Sequence, residues 1–226
     1  MTRPVAGALG DPVLVETGRV ALPGDLTISE AATGIVIFAH GSGSSRRSPR
    51  NRFVADVLNE GGIGTLLFDL LTQAEEGDRR NVFDIPLLAE RLLAATRWLA
   101  ARPEAAGRAI GYFGASTGAA AALIAAARSE LALGAVVSRG GRPDLAGEWL
   151  AKVRAPTLLI VGGRDYEVLE LNRAAHEKLN CPKQLEIVPG ATHLFEERGA
   201  LEAVAASASS WFRRYLGSPR LSGPGE

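Results

Sequence analysis

Ala109-Ile110-Gly111-Tyr112-Phe113-Gly114-Ala115-Ser116-Thr117-Gly118-Ala119-Ala120 changes character at its middle. Ala109 to Phe113 is a continuous apolar run, the pattern of a strand buried on both faces. Thr117 to Ser129 is Ala-rich and reads as a helix. Between them, Gly114-Ala115-Ser116-Thr117-Gly118 fits G-x-S-x-G. In this setting the motif is a sharp strand-to-helix turn. The small residues at each end let strand and helix approach closely. The central residue is forced into a strained conformation that presents its side chain at the carboxyl end of the sheet. The free N–H groups and positive dipole end of the helix point to the same spot. A serine held there reads as a nucleophile.

The chain extends this alternation in both directions. Apolar runs recur at Gly34 to Ala39, Gly64 to Phe68, Gly134 to Val137, Thr157 to Val161 and Gln184 to Val188. Helical patterns lie between or after them at Pro49 to Glu60, Val82 to Ala101, Leu169 to Leu179 and Leu201 to Leu216. Strands alternating with helices predict an α/β fold: a mostly parallel central sheet covered by helices on both faces. Ahead of it, Val13 to Val15 and Arg19 to Leu22 read as short strands. Pro23-Gly24-Asp25 reads as a turn into a further strand, Leu26 to Glu30, giving an N-terminal antiparallel hairpin. One domain is expected over residues 13–216, with loose ends at 1–12 and 217–226. The connection from Ser138 to Pro156 has room for a small helix near Leu145 to Val153, and none for a lid.

Composition narrows the function classes. The 226 residues are 46% hydrophobic, enough for a proper core, and the 25 basic residues balance 25 acidic ones. That balance disfavours a general electrostatic grip on nucleic acid or on an anionic membrane. Of the basic residues, 22 are Arg and three are Lys. One cysteine, Cys181, permits neither an intramolecular disulfide nor a Cys-based zinc site, and before Pro182 it reads as structural. Met1 to Asp11 lacks the pattern of a signal peptide, and no apolar run approaches the roughly 20 residues that span a bilayer. A cytoplasmic location is expected.

A neutral serine needs a base. Three histidines are present. His176 sits in a helical stretch beside Glu177 and Lys178 and reads as a solvated face residue. His40 follows a buried strand and reads as a hydrogen-bonding residue under the next loop. His193, in Pro189-Gly190-Ala191-Thr192-His193-Leu194-Phe195, lies after the last strand, at the same end of the sheet as Ser116. It is the candidate base. The acid that fixes its tautomer is Asp165, which follows the apolar run and Gly162-Gly163, with Asp144 as the weaker rival. The order Ser116, Asp165, His193 is that of the α/β hydrolases. His40-Gly41-Ser42-Gly43 ends the first buried strand. The backbone N–H groups of Ser42 and Thr117 are the expected oxyanion donors. Arg46 and Arg50 follow that loop, and Arg139 and Arg142 follow another strand. They are candidates for holding a carboxylate or phosphate of the substrate, unless Asp56, Asp69 or Asp144 pairs with them.

On these residues the chain resembles the α/β-hydrolase superfamily over nearly its whole length. Within that superfamily it is similar to the serine-containing, esterase-like members of the dienelactone hydrolase family. The likeness is carried by Phe38-Ala39-His40-Gly41-Ser42-Gly43-Ser44-Ser45, Ser48-Pro49-Arg50-Asn51-Arg52, Ser138-Arg139-Gly140-Gly141-Arg142-Pro143-Asp144-Leu145 and Gly190-Ala191-Thr192-His193-Leu194-Phe195. The resemblance implies hydrolysis of a carboxylic ester or lactone through an acyl-enzyme. The members that name the family use Cys at the elbow, where this chain has Ser116. A carboxylesterase for small or short-chain acyl groups is therefore the expectation, with no metal or organic cofactor, acting as monomer or homodimer. A thioesterase, a lactonase and a non-catalytic binding module on the same fold are the alternatives.

Overall fold

A computed structural model describes residues 10–217. Its strands are β1 (Asp11–Glu16), β2 (Ala21–Thr27), β3 (Gly34–Ala39), β4 (Gly64–Phe68), β5 (Ala109–Ala115), β6 (Ala135–Arg139), β7 (Thr157–Gly162) and β8 (Lys183–Val188). They form one sheet in the order β1-β2-β4-β3-β5-β6-β7-β8. β2 runs antiparallel to β1 and β4, and the strands from β4 to β8 pair in parallel. The helices are α1 (Pro49–Glu60), α2 (Gln73–Glu76), α3 (Arg79–Val82), α4 (Ile85–Ala100), α5 (Thr117–Arg128), α6 (Tyr166–Lys178) and α7 (Ala200–Leu216). This is the expected mostly parallel α/β-hydrolase architecture.

The apolar runs follow from burial on two sides. Along β3, Ile35 and Ile37 pack into a core layer with α4 and α5, while Val36 and Phe38 pack into the layer under α1 and α7. A strand with a core on each face favours apolar residues at successive positions. Each fully buried side chain of this kind contributes roughly 1.5–3 kcal/mol.

Several boundaries depart from the sequence reading. The hairpin turns at residues 17–20, where Gly18 takes φ +85° and Thr17 N–H donates to the Val20 carbonyl. Pro23-Gly24-Asp25 is instead the middle of β2, so the two strands expected on either side of it are one. Gly24 is there because it packs between Phe68 and Val13, and Asp25 sends its carboxylate to Arg52. The helix expected from Val82 starts at Ile85, where the Asp84 side chain accepts from Leu87 N–H; Val82 closes α3. The small helix after β6 is 3-10 in character, Pro143–Lys152, and is broken in two at Gly147, whose φ of 52° is not helical. Asp11 and Pro12, expected in the loose start, open β1, and Gly217 caps α7. The rest of the expected loose ends lies outside the described residues. Among the described helices none is long and apolar enough to cross a membrane.

Candidate active site

Ser116 sits between β5 and α5 with φ 51° and ψ −121°, a conformation that a side-chain-bearing residue rarely takes. Neighbouring contacts enforce it. A Cβ on Gly114 would strike the Ala119 backbone, and one on Gly118 would strike the carbonyls of Ala39 and His40. The loop after β6 holds the turn from the other side. Ser116 N–H donates to the Arg139 carbonyl at 3.2 Å, and Arg142 N–H donates to the Ser116 carbonyl at 3.1 Å.

The other two elements arrive from β7 and β8. Asp165 occupies the N-cap position of α6, yet its side chain caps nothing in that helix. Its carboxylate instead accepts from His193 Nδ1 at 2.7 Å. Arg164 N–H donates to the Ala191 carbonyl and Gly163 N–H to Val188, which ties the two loops together. In the His193 loop, Thr192 N–H donates to both carboxylate oxygens of Glu197 at 3.1 Å, and Phe195 is buried at φ 54°. His193 Nε2 then faces Ser116 Oγ at 3.3 Å. With the Nδ1 proton directed at the carboxylate, Nε2 is the acceptor for the serine hydroxyl. Ser116, His193 and Asp165 thus form one hydrogen-bonded chain. Asp144 takes no part in it, because both its oxygens accept from Arg142, at 2.9 and 2.8 Å.

The Ser42 and Thr117 amides also meet here. Ser42 N–H donates to Thr117 Oγ1 at 2.9 Å, across 75 residues of chain. Thr117 is the first residue of α5, so its N–H has no acceptor within the helix. His40 lies behind this loop. Its Nε2 accepts from Leu70 N–H at 3.0 Å and its Nδ1 faces the Gly41 carbonyl, so it joins the loops after β3 and β4. Burial, the largest influence, holds the imidazole below its ordinary pKa. His176 lies half-buried on α6. A cleft of about 600 Å³ opens beside Ser42, lined among others by Gly41, Ser44, Leu71, Arg79 and Phe83.

The four arginines divide. Arg46 pairs with Asp69, through Nη1 and through its own N–H at 2.8 Å, and its Nε lies 3.7 Å from Asp25. Arg142 is held bidentately by Asp144. These two are internal ion pairs, not free anion ligands: Asp69 and Asp144 neutralise them within the fold. Arg50 has one pair, with exposed Glu196 at 3.2 Å. Arg139 is buried and has no ion pair among the described residues. Cys181 is buried too, its Sγ 3.6 Å from Thr157 Oγ1. No cluster of three or more His, Cys, Asp or Glu able to hold a metal occurs among the described residues.

Known proteins share this fold. The model of the dienelactone hydrolase family matches residues 30–217. A dienelactone hydrolase from Anabaena variabilis is 58% identical, with a TM-score of 0.89 over 91% of this chain and 97% of that one. Est1E from Butyrivibrio proteoclasticus shares the fold at 16% identity, with a TM-score of 0.78 over 92% and 99% of the two chains. Two strains of Mycobacterium tuberculosis carry proteins named "Putative phosphoribosyl transferase" that are 60% identical over 213 residues. The match covers 94% of this chain and 48% of theirs, so the chain spans about half the length of those curated relatives.

Proposed function

The chain belongs to the dienelactone hydrolase family, and from that premise we propose that it is a serine hydrolase cleaving carboxylic esters of small or short-chain acyl groups. The observation that carries the reading is His193, with Asp165 on Nδ1 at 2.7 Å and Ser116 Oγ at 3.3 Å from Nε2. His193 Nε2 takes the Ser116 proton as Oγ bonds to the ester carbonyl carbon. Asp165 holds the resulting imidazolium. The oxyanion forms beside the Ser42 and Thr117 amides, and the Ser42 N–H exchanges the Thr117 hydroxyl for it. The imidazolium then gives its proton to the departing alcohol. Water, deprotonated by His193, attacks the acyl-serine, and the carboxylic acid leaves as Ser116 regains its proton.

Two features support small acyl groups. The β6–β7 connection holds only the 3-10 segment and builds no lid, and the cleft beside Ser42 is open and modest in volume. Lactones are cyclic esters open to the same attack, in keeping with the name of the Anabaena relative. A thioester would follow the same route. The transferase name belongs to chains about twice as long, and we assign hydrolysis to the portion shared here.

The test is release of p-nitrophenol from acetate, butyrate and octanoate esters by the protein and by Ser116→Ala. Turnover falling with chain length, and reduced at least about 10⁴-fold in the variant, is expected. Equal rates in both proteins would remove Ser116 from the chemistry.

A further inference from the structure

Residues 139–142, at the end of β6 and just after it, border both Ser116 and His193. The Arg139 carbonyl accepts from Ser116 N–H, and Arg142 N–H donates to the Ser116 carbonyl. Gly140, at φ 50°, comes so close to His193 that a Cβ there would lie 3.2 Å from its carbonyl oxygen and 3.5 Å from Nδ1, the atom that faces Asp165. A shift of this segment would therefore move the serine and the imidazole relative to each other.

Gly141 ties the segment to α6, the helix whose N-cap is Asp165. Asn172 Nδ2 donates to the Gly141 carbonyl at 3.0 Å, across 31 residues, and to the Val168 carbonyl at 2.8 Å. Asn172 is fully buried, on the face of α6 that also buries Val168, Leu169 and Ala175. Its Oδ1 has no partner among the described residues. A buried amide with one end empty is costly, and an apolar side chain of similar size would pack on that face without the cost. What the amide provides is a fixed spacing between α6 and the segment that borders Ser116 and His193. The segment is tightly seated there: a Cβ on Gly141 would strike Ser138 Oγ and Ala119 Cβ.

We propose that Asn172 is a positioning residue for the reaction of Ser116. Its bond to Gly141 sets residues 139–142 relative to α6, and through them the approach of His193 Nε2 to Ser116 Oγ. Asn172 itself bonds Gly141 and Val168, not Ser116, His193 or Asp165, so it acts through the segment. The assignment rests on Ser116 being the nucleophile, but the order of the segment is measurable without turnover, so the two are tested separately.

The experiment measures kcat and KM for p-nitrophenyl butyrate, the rate of fluorophosphonate labelling, and amide hydrogen exchange at Ser116 and Arg142. It compares the wild type with Asn172→Leu, Asn172→Ser and Leu179→Ala. Leu179 is buried just after α6 and its N–H bonds within that helix, so its truncation reports loss of stability alone. In Asn172→Leu we expect kcat to fall roughly 10²-fold, the scale of a small misplacement of reacting groups, with KM changed less than about 3-fold. Labelling should slow by the same factor, and the two amides should exchange faster. Asn172→Ser, whose hydroxyl is too short to reach Gly141, should behave alike, and it serves the comparison should the leucine variant not fold. Leu179→Ala should lower the urea midpoint at least as much as Asn172→Leu, yet keep kcat within about 3-fold of the wild type. A kcat within about 3-fold of the wild type in the Asn172 variants, or an equal loss in Leu179→Ala, overturns the proposal. If the wild type cleaves no ester and takes no label, the hydrolase reading falls and exchange at Ser116 and Arg142 still decides. Faster exchange in Asn172→Leu then retains Asn172 as the residue that sets this segment, and unchanged exchange overturns it.

Discussion

Asp165 shows how one side chain is diverted from a local role to a distant one. An Asp at a helix N-cap ordinarily accepts from the first-turn amides. Here it caps nothing and bonds His193 instead, 28 residues away. Asp165→Asn keeps the size and polarity of the side chain and gives up its charge. We expect kcat on p-nitrophenyl butyrate to fall about 10⁴-fold, because the imidazolium loses its counter-ion and the ring its fixed tautomer. We expect little change in melting temperature, since no cap bond is lost. A fall below about 10-fold would mean that Asp165 is not the partner of the base. The three residues of this chain were legible in the sequence, since each lies in the loop that leaves an apolar run and so falls at the same end of the sheet. The fate of the arginines was less so. Arg46 finds Asp69 across 23 residues, whereas Arg139 finds no acid among the described residues. Spacing alone does not distinguish the two. The bond from Ser42 N–H to Thr117 Oγ1 joins loops 75 residues apart and leaves no local trace.

At the scale of elements, runs with a single reading were placed well and turn residues were not. β3 and β4 begin and end where their apolar runs do, because both of their faces are buried. Pro23-Gly24-Asp25 has the chemistry of a turn, but the residues packed around Gly24 keep it in β2, and Gly18 makes the turn. His40 links two of these elements and brings a pH dependence. Burial lowers its pKa in the folded state, so below about its ordinary 6.5 the unfolded chain binds the proton more readily. Stability therefore holds above pH 6.5 and declines as pH falls through the window beneath it, by at most about 1.4 kcal/mol per unit for one proton. His40→Asn does not titrate. In urea unfolding between pH 7.5 and 5, the wild-type advantage over His40→Asn should shrink as pH falls. A constant difference would show that the buried neutral imidazole is not the titrating group.

For the whole molecule, the sheet order brings the ends of β3, β5, β6, β7 and β8 side by side, so that five loops converge on one rim. Their residues span positions 40 to 193, within the region matched by the family model. The alternation of strand and helix made the α/β class readable. The position of β4 between β2 and β3 follows from packing that pattern alone does not specify.

The central claim is that this rim activates Ser116 as a nucleophile. The most direct measurement is intact mass after treatment with a fluorophosphonate, followed by peptide mapping. The expected result is one phosphonyl adduct per chain, on Ser116, absent from Ser116→Ala and strongly slowed in His193→Ala. A folded protein that takes no adduct, or takes it equally in Ser116→Ala, would contradict the claim.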